Sequence, residues 1–163
     1  MTCTALLDVY FIATDLARLR RYVADCARLA GLAEPRRSEF VLAVHEVAGN
    51  AVQHGGGRGR IRLLYADGVL RGEVTDDGPG LTGEAIPAVP PDPGSGESGR
   101  GLWLVRELSD RLRIGRGPET PETPGNPGGA IVTLEFELTE EPGDGAPSPA
   151  APPRAARDHL LAQ

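Results

Sequence analysis

Apolar and polar residues follow two periods along the chain, and segments with a period of two are predicted strands. In the last of these segments Val132, Leu134 and Phe136 alternate with polar residues, as expected for a strand with one buried face. Between the two middle segments, Asp67 and Gly68 form a pair that tolerates positive φ and favours a hairpin turn. The predicted strands span residues 3–12, 60–65, 69–75 and 131–138.

Other segments repeat apolar residues every three or four positions, which predicts helices. Their bounds follow from capping and breaking residues: Asp15 to Gly31, Pro35 to about His54, and Gly101 to Leu112. The predicted order is β, α, α, β, β, lid, α, β, β. This order indicates an α+β fold, a two-layer sandwich in which helices cover one face of a mixed, mostly antiparallel sheet.

Three segments show neither the strand period nor the helix period. Residues 81–98 are rich in Pro, Gly and small polar residues but lie between ordered patterns, which predicts a mobile lid. Residues 115–129 are expected to form a Gly/Pro loop, and residues 140–163 a disordered tail rich in Pro and Ala. The folded domain is therefore expected to span residues 1–139.

Composition narrows the function classes. With 163 residues, 40% of them hydrophobic and 25% charged, the chain fits one soluble domain. A formal charge of -6 argues against nonspecific nucleic-acid binding, which requires neutralisation of phosphates. The chain has no Lys, which excludes a Walker-type phosphate loop and a eukaryotic-type protein kinase.

The N-terminus and the cysteines indicate the compartment. The N-terminus has neither a basic leader nor a long apolar run, and no segment approaches the ~20 apolar residues that span a bilayer. Cys3 and Cys26 lack metal-ligand spacing. A reduced, cytoplasmic location without membrane contact is therefore expected.

The second predicted helix carries the first chemical motif, Glu46 to Asn50. Residues four apart share a helix face, so the Glu46 carboxylate and the Asn50 amide lie one turn apart, with His54 a further turn along. A carboxylate beside a neutral oxygen ligand suits Mg²⁺, and the carboxylate can also deprotonate a nucleophile. Taken alone, the pair favours a solvated helix face, because Glu and Asn four residues apart are common by chance.

The second motif follows a predicted strand, at Val74 to Gly80. Asp76 leaves the sheet edge there and can accept a hydrogen bond from the exocyclic amine of adenine. Gly78 and Gly80 let the backbone bend closely around a flat base. The alternative is an ordinary Asp-Gly turn.

The third motif is Ser98 to Leu102, where Gly99 and Gly101 flank Arg100 at the start of the third helix. The free backbone N–H groups of a helix start, together with the helix dipole, can bind phosphates without Lys. Arg100 would add a direct positive charge. A flexible linker that ends in a helix cap is the alternative.

In this order, the three motifs resemble the N, G1 and G2 boxes of the GHKL, or Bergerat-fold, ATPases. The segments LAVHEVAGNAVQHG, at 42–55, and GRGLWLV, at 99–105, are most similar to anti-sigma-factor serine kinases. The resemblance covers residues 3–138 and implies ATP and Mg²⁺ as cofactors. It implies the following roles: Glu46 as general base, Asn50 as Mg²⁺ ligand, Asp76 as adenine contact, and Gly78, Gly80, Gly99 and Gly101 as nucleotide-shaping glycines. Arg100, Leu102 and His54 are added as ATP-binding candidates.

Two departures from the family pattern bear on activity. The last strand of such domains often begins with a Thr that helps Asp hold adenine, whereas this chain has Ala130 and Ile131 there, with Thr133 displaced. His45 stands before Glu46 where many relatives have Ser. Weaker adenine affinity is therefore expected.

Three functions are compatible with these residues. The resemblance implies an anti-sigma serine kinase that phosphorylates an antagonist protein, sequesters a sigma factor and forms a homodimer. A non-catalytic module of the same fold is the first alternative; Glu46 favours the kinase and Ile131 the module. A histidine-kinase catalytic domain is the second, and it is disfavoured because no helix pair with a phosphoacceptor His precedes residue 3.

Overall fold

The computed structural model describes residues 3–81, 86, 89, 100–117 and 128–138. The predicted lid and the predicted tail lie almost entirely outside these residues. The elements, in chain order, are β1 (Thr4–Ile12), α1 (Leu16–Leu29), α2 (Arg36–His54), β2 (Arg58–Ala66), β3 (Val69–Asp76), α3 (Arg100–Leu108), β4 (Arg111–Arg116) and β5 (Ala130–Glu137). The predicted strands and the first two predicted helices are confirmed. In the described part of the chain, no helix combines the length and apolarity that crossing a membrane requires.

The five described strands form one sheet in the order β1-β2-β3-β5-β4. All four pairings between these strands are antiparallel, whereas the sequence predicted a mixed, mostly antiparallel sheet. The β2–β3 hairpin turns at Asp67 and Gly68, whose φ angles of 50 and 76 are both positive. The α+β fold class and the predicted hairpin are thus confirmed.

The core lies between the helices and one face of the sheet. An apolar stripe at helical spacing on α2 is buried; it comprises Phe40, Val44, Val47 and Ala51. Phe40 meets Phe136 of β5 edge to face, with ring centroids 5.1 Å apart. This packing fixes α2 across the middle of the sheet.

The opposite face of the sheet carries ion pairs. Arg71 and Glu135 lie directly opposite each other on β3 and β5, with Arg71 Nη2 2.7 Å from Glu135 Oε1. Arg60 and Asp8 pair on β2 and β1 at 2.8 Å. Glu135 is nearly buried between its partners Arg71 and Arg111, whereas Arg60 and Asp8 remain partly exposed, so the arginines of this face lie toward water while the other face packs against the helices.

The third helix is shorter than predicted. It ends at Leu108 instead of Leu112, and residues 111–116 form β4 where the sequence suggested a helix end and the start of a loop. The hydroxyl of Ser109 donates to the Val105 carbonyl, and the backbone N–H of Asp110 donates to the Glu135 carbonyl. Pairing with β5 therefore overrides the helical spacing. The predicted order contains two strands after the third helix, but bounds were given only for the last, and the alternation of Arg111, Leu112, Arg113 and Ile114 is the signal that locates the other.

Candidate functional site

The C-terminal half of α2 and the N-terminus of α3 face each other across a cavity. A side chain at Gly101 would place its Cβ 2.7 Å from Glu46 Oε2 and 3.8 Å from Asn50 Nδ2. The Glu46 carboxylate thus lies against the backbone at the start of α3. A side chain at 101 would therefore displace the Glu46 carboxylate from this position.

This cavity, here called the Glu46 cavity, has a volume of about 410 Å³. Its lining combines residues of α1, α2 and α3: Leu16, His45, Glu46, Gly49, Asn50, Gln53, Arg100, Gly101 and Leu104. The first-turn N–H groups of α3 and the Arg100 side chain supply positive potential beside the carboxylate of Glu46. The cavity can hold an anionic group next to the Glu46 carboxylate.

Asp76 lies at the end of β3 in a second group of residues, the Asp76 cluster, formed with Gly55, Gly78, Gly129 and Ala130. The backbone N–H groups of Gly78 and Ala130 donate to Asp76 Oδ1 at 2.9 and 3.0 Å. Among the described residues, no donor bonds Oδ2. The carboxylate is thus held in one orientation by the backbone and keeps one oxygen available to an external donor.

Glycines pack around Asp76 at distances that no side chain permits. A Cβ at Gly55 would lie 2.5 Å from both Cβ and Cγ of Asp76, and one at Gly129 would overlap its carbonyl oxygen and Oδ1. A Cβ at Gly78 would lie 2.5 Å from Gly55 Cα. The sequence placed Gly55 directly after the second predicted helix and Gly129 in a loop, but it did not reveal the contact of either glycine with Asp76.

The structure thus gathers the predicted residues in two neighbouring groups. Glu46, Asn50, Arg100 and Gly101 line the Glu46 cavity, whereas Asp76 and Gly78 belong to the Asp76 cluster. Both groups contact the same segment of α2, because residues 46 to 55 span about 13 Å of helix. One elongated ligand could therefore reach both.

Four predicted residues contribute less directly or lie outside the described part of the chain. His54 is exposed at the end of α2, and the side chain of Leu102 is buried. Gly80 adopts a φ of 90, which favours glycine, and lies near the Gly129 carbonyl. Gly99 lies outside the described residues.

The start of β5 shows how the Asp76 cluster forms without the family's Thr. Thr133 pairs with Glu73 and Arg113 on the open face of the sheet, so its hydroxyl is displaced from Asp76. The backbone N–H of Ala130 binds Asp76 Oδ1 instead. A backbone N–H at the start of β5 thus helps to orient the Asp76 carboxylate.

The residues present fit a magnesium nucleotide better than a metal held by the protein alone. Within the described segments, no group of three or more His, Cys, Asp and Glu residues could hold a metal ion. Mg²⁺ commonly takes one or two protein ligands and completes its octahedron with water and substrate phosphates. Asn50, beside Glu46 and the N-terminus of α3, offers that type of incomplete ligand set.

The sequence from residue 12 to residue 135 matches the family described as the histidine kinase-like ATPase domain. This match covers most of the chain and agrees with the α+β fold and with both groups of site residues. The protein therefore belongs to this family, which is of the GHKL type, and family membership supports ATP binding by a kinase-like domain.

A relative in the curated proteins is the signal transduction histidine-protein kinase AfsQ2 of Streptomyces coelicolor, 32% identical over 133 residues. The match covers 77% of this chain but 23% of that relative, so the chain spans about a quarter of its length. Among solved structures, the mycobacterial sensor histidine kinase MprB aligns with a TM-score of 0.49 at 19% identity. That alignment covers 80% of this chain and 97% of the other.

Proposed function

We propose that the domain binds ATP with Mg²⁺ and transfers the γ-phosphoryl group to a serine hydroxyl of a partner protein. The observation that supports this most is the Glu46 carboxylate, which lies in the cavity against the start of α3. A serine hydroxyl is a weak nucleophile at neutral pH, and a carboxylate within hydrogen-bonding reach can take its proton. Glu46 is the carboxylate that lines this cavity.

Each group has one task in this proposal. Asp76 Oδ2 accepts a hydrogen bond from the adenine amine, and Arg100 with the first N–H groups of α3 binds the phosphates. Asn50 would hold Mg²⁺, which would offset negative charge on the phosphates. Glu46 accepts the serine proton while the serine oxygen bonds to the γ-phosphorus, and the bond from that phosphorus to the bridging oxygen of ADP breaks.

The biological role that we propose is that of an anti-sigma factor in a partner-switching system. Its partners would be a sigma factor, which it sequesters, and an antagonist protein, which it phosphorylates on serine. We further propose that it acts as a homodimer in the cytoplasm. The support is the resemblance of residues 42–55 and 99–105 to such kinases.

A second candidate is favoured by one comparison. Because the chain is 32% identical to part of AfsQ2, whose name is that of a histidine-protein kinase, it could serve as the ATP-binding part of such an enzyme. The phosphoryl group would then go to a histidine nitrogen. A non-catalytic module that binds nucleotide and inhibits a partner is the third candidate, and Ile131 at the start of β5 favours it.

One experiment separates these candidates. The purified chain is incubated with γ-labelled ATP, Mg²⁺ and candidate antagonist proteins, and the labelled product is exposed to acid and to alkali. Label that resists acid, is lost in alkali and disappears when the acceptor Ser is replaced by Ala supports the serine kinase. Acid-labile label indicates histidine phosphorylation, and nucleotide binding without any label indicates the module.

A further inference from the structure

The guanidinium of Arg36, the first residue of α2, connects α2 to the far end of α3. Its Nη1 donates to the Leu108 carbonyl at 2.7 Å and to Glu39 Oε2 at 2.9 Å. Its Nη2 donates to the Asp110 carboxylate, and its Cζ lies 4.4 Å from the centroid of the Phe136 ring. One side chain thus contacts the end of α3, the turn that follows it and β5.

Asp110 is itself attached to the sheet. Its backbone N–H donates to the Glu135 carbonyl at 2.9 Å, and its carboxylate accepts the Glu137 N–H at 2.8 Å. The Leu108 carbonyl belongs to the last turn of α3 and lacks an intrahelical donor, so Arg36 satisfies it and adds positive charge at the negative end of the helix dipole. Arg36 therefore holds the C-terminal end of α3 against a fixed part of the sheet.

The opposite end of α3 forms a wall of the Glu46 cavity. The helix has 9 residues and is therefore about 13 Å long. A short helix of this kind moves as a unit, so a change in its orientation at Leu108 also displaces Gly101 relative to Glu46. Displacements of about 1 Å in a reacting geometry can reduce a rate by about a hundredfold.

We propose that Arg36 is a positioning residue for the triphosphate end of the nucleotide site, acting through the Leu108 carbonyl and Asp110 to orient α3. This inference rests on the proposed function, because it assigns phosphate binding to the N-terminus of α3. Arg36 does not line the Glu46 cavity, and its hydrogen bonds go to Glu39, Leu108 and Asp110, not to Glu46 or Asp76. Its effect on nucleotide binding must therefore pass through α3.

A guanidinium suits this position better than an ammonium group. Arg36 reaches a carbonyl and two carboxylates from one planar group and also stacks on Phe136, a combination that the compact point charge of Lys does not reproduce. The purely stabilising alternative is that these contacts only hold the fold together. A positioning role predicts weaker binding of ATP but not of adenosine, whereas a purely stabilising role predicts no such difference.

The first test compares ATP and adenosine binding by calorimetry with Mg²⁺ present. In Arg36→Ala and Arg36→Lys, the Kd for ATP is expected to rise about tenfold, in line with loss of phosphate positioning. The Kd for adenosine should stay at the wild-type value, because Asp76 is held by Gly78 and Ala130. Arg37→Ala is the matched control, since Arg37 pairs with Glu34 at 2.9 Å and not with α3.

A second control separates positioning from stability. Val23→Ala removes buried side-chain volume from α1, away from α3, and lowers the melting temperature without altering Arg36. At a temperature where all variants are folded, Val23→Ala should bind ATP with wild-type affinity. If Val23→Ala and Arg36→Ala weaken ATP binding equally for equal losses in melting temperature, Arg36 acts through stability and the proposal is wrong.

A nucleotide-free readout tests the inference even if the proposed function fails. Trp103, the single Trp of the chain, lies on α3 and is half-buried, so its fluorescence reports on that helix. Arg36→Ala should shift its emission to the red and increase quenching by acrylamide, whereas Arg37→Ala should leave both unchanged. Wild-type fluorescence in Arg36→Ala would overturn the inference. A changed spectrum with no ATP binding by the wild type would retain the role in α3 orientation and reject the proposed function.

Discussion

The Asp76 cluster and the Glu46 cavity are built in opposite ways, although both contact the same half of α2. Around Asp76, three glycines bring backbone segments together and two backbone N–H groups fix one carboxylate oxygen. Around Glu46, side chains from three helices surround about 410 Å³ of open volume, and one glycine, Gly101, contacts the carboxylate. One region is closely packed and the other is open.

This difference indicates that the two regions would bind different parts of a nucleotide. A packed, backbone-defined site holds one shape of ligand and tolerates few substitutions, as adenine recognition requires. An open cavity with a carboxylate and a helix N-terminus can admit phosphates, a cation and a second reactant. Substitutions should therefore affect binding in the Asp76 cluster and phosphoryl transfer in the Glu46 cavity.

The largest effect is expected in the open region, for Glu46→Gln. Removal of the proposed general base should lower phosphoryl transfer by about a hundredfold to ten-thousandfold while ATP affinity changes little. Initial rates with a labelled partner and calorimetry with ATP measure the two quantities separately. Glu107→Gln, on the exposed side of α3, is the matched control. Wild-type transfer in Glu46→Gln would remove Glu46 from the mechanism.

In the packed region, Gly129→Ala is expected to have the next largest effect. The added Cβ would overlap the carbonyl oxygen and Oδ1 of Asp76, so the backbone must shift, at a cost of about 1–3 kcal/mol in stability. Thermal unfolding and ATP binding should both be impaired. Gly115→Ala is the matched control, because a Cβ there meets no atom within 4 Å. Equal stability and affinity in both variants would show that the cluster is loosely packed.

Asp76→Asn should have a smaller effect that is confined to binding. The amide oxygen can still accept the N–H groups of Gly78 and Ala130, but an NH₂ group then replaces Oδ2 and cannot accept the adenine amine. The mismatch should cost about 1–2 kcal/mol, which corresponds to an ATP affinity roughly tenfold lower.

The neighbouring Asp77 offers the control for that variant. Asp77 is exposed and pairs with Arg58 at 2.8 Å, so Asp77→Asn changes the same charge without altering the Asp76 cluster. Competition binding with a fluorescent ATP analogue measures both variants. If Asp77→Asn weakened binding as much as Asp76→Asn, the effect would be one of net charge and not of adenine recognition.

The smallest effect is expected for Gly49→Ala in the open region, in contrast to Gly129→Ala in the packed region. Gly49 lies in the interior of α2, where a Cβ would meet no atom within 4 Å. Gly49→Ala should stabilise the helix by about 1 kcal/mol and leave ATP affinity unchanged. Chemical denaturation and calorimetry check both. A loss of ATP affinity would mean that the cavity wall at Gly49 contacts the nucleotide closely.

Much of the fold could be predicted from local patterns. The helical spacing of Phe40, Val44, Val47 and Ala51 predicts the buried face of α2. The Asp67-Gly68 pair predicts the hairpin turn that the structure contains. The end of α3 could not, because helical spacing continues past Leu108 while pairing of residues 111–116 with β5 determines the outcome. Strand pairing between distant segments is not visible in a local window.

The candidate site was predictable to a similar extent. Glu46 and Asn50 follow from their spacing on a helix, and Asp76 from its place at a strand end. Gly55, Gly129 and the Ala130 N–H were missed, since their importance lies in a close approach between segments far apart in sequence. His45 and Gln53 were also missed as cavity-lining residues. They line the cavity because α3 lies beside their face of α2, and the sequence does not show that placement.

The central claim is that the Asp76 cluster and the Glu46 cavity bind the two ends of one ATP molecule. The most direct measurement is calorimetric titration of the wild-type chain with ATP and Mg²⁺, alone and with saturating adenosine. We expect one ATP site per chain, and competition in which adenosine raises the apparent Kd for ATP. Binding of ATP that adenosine leaves unchanged, or no heat with either ligand, would contradict this account.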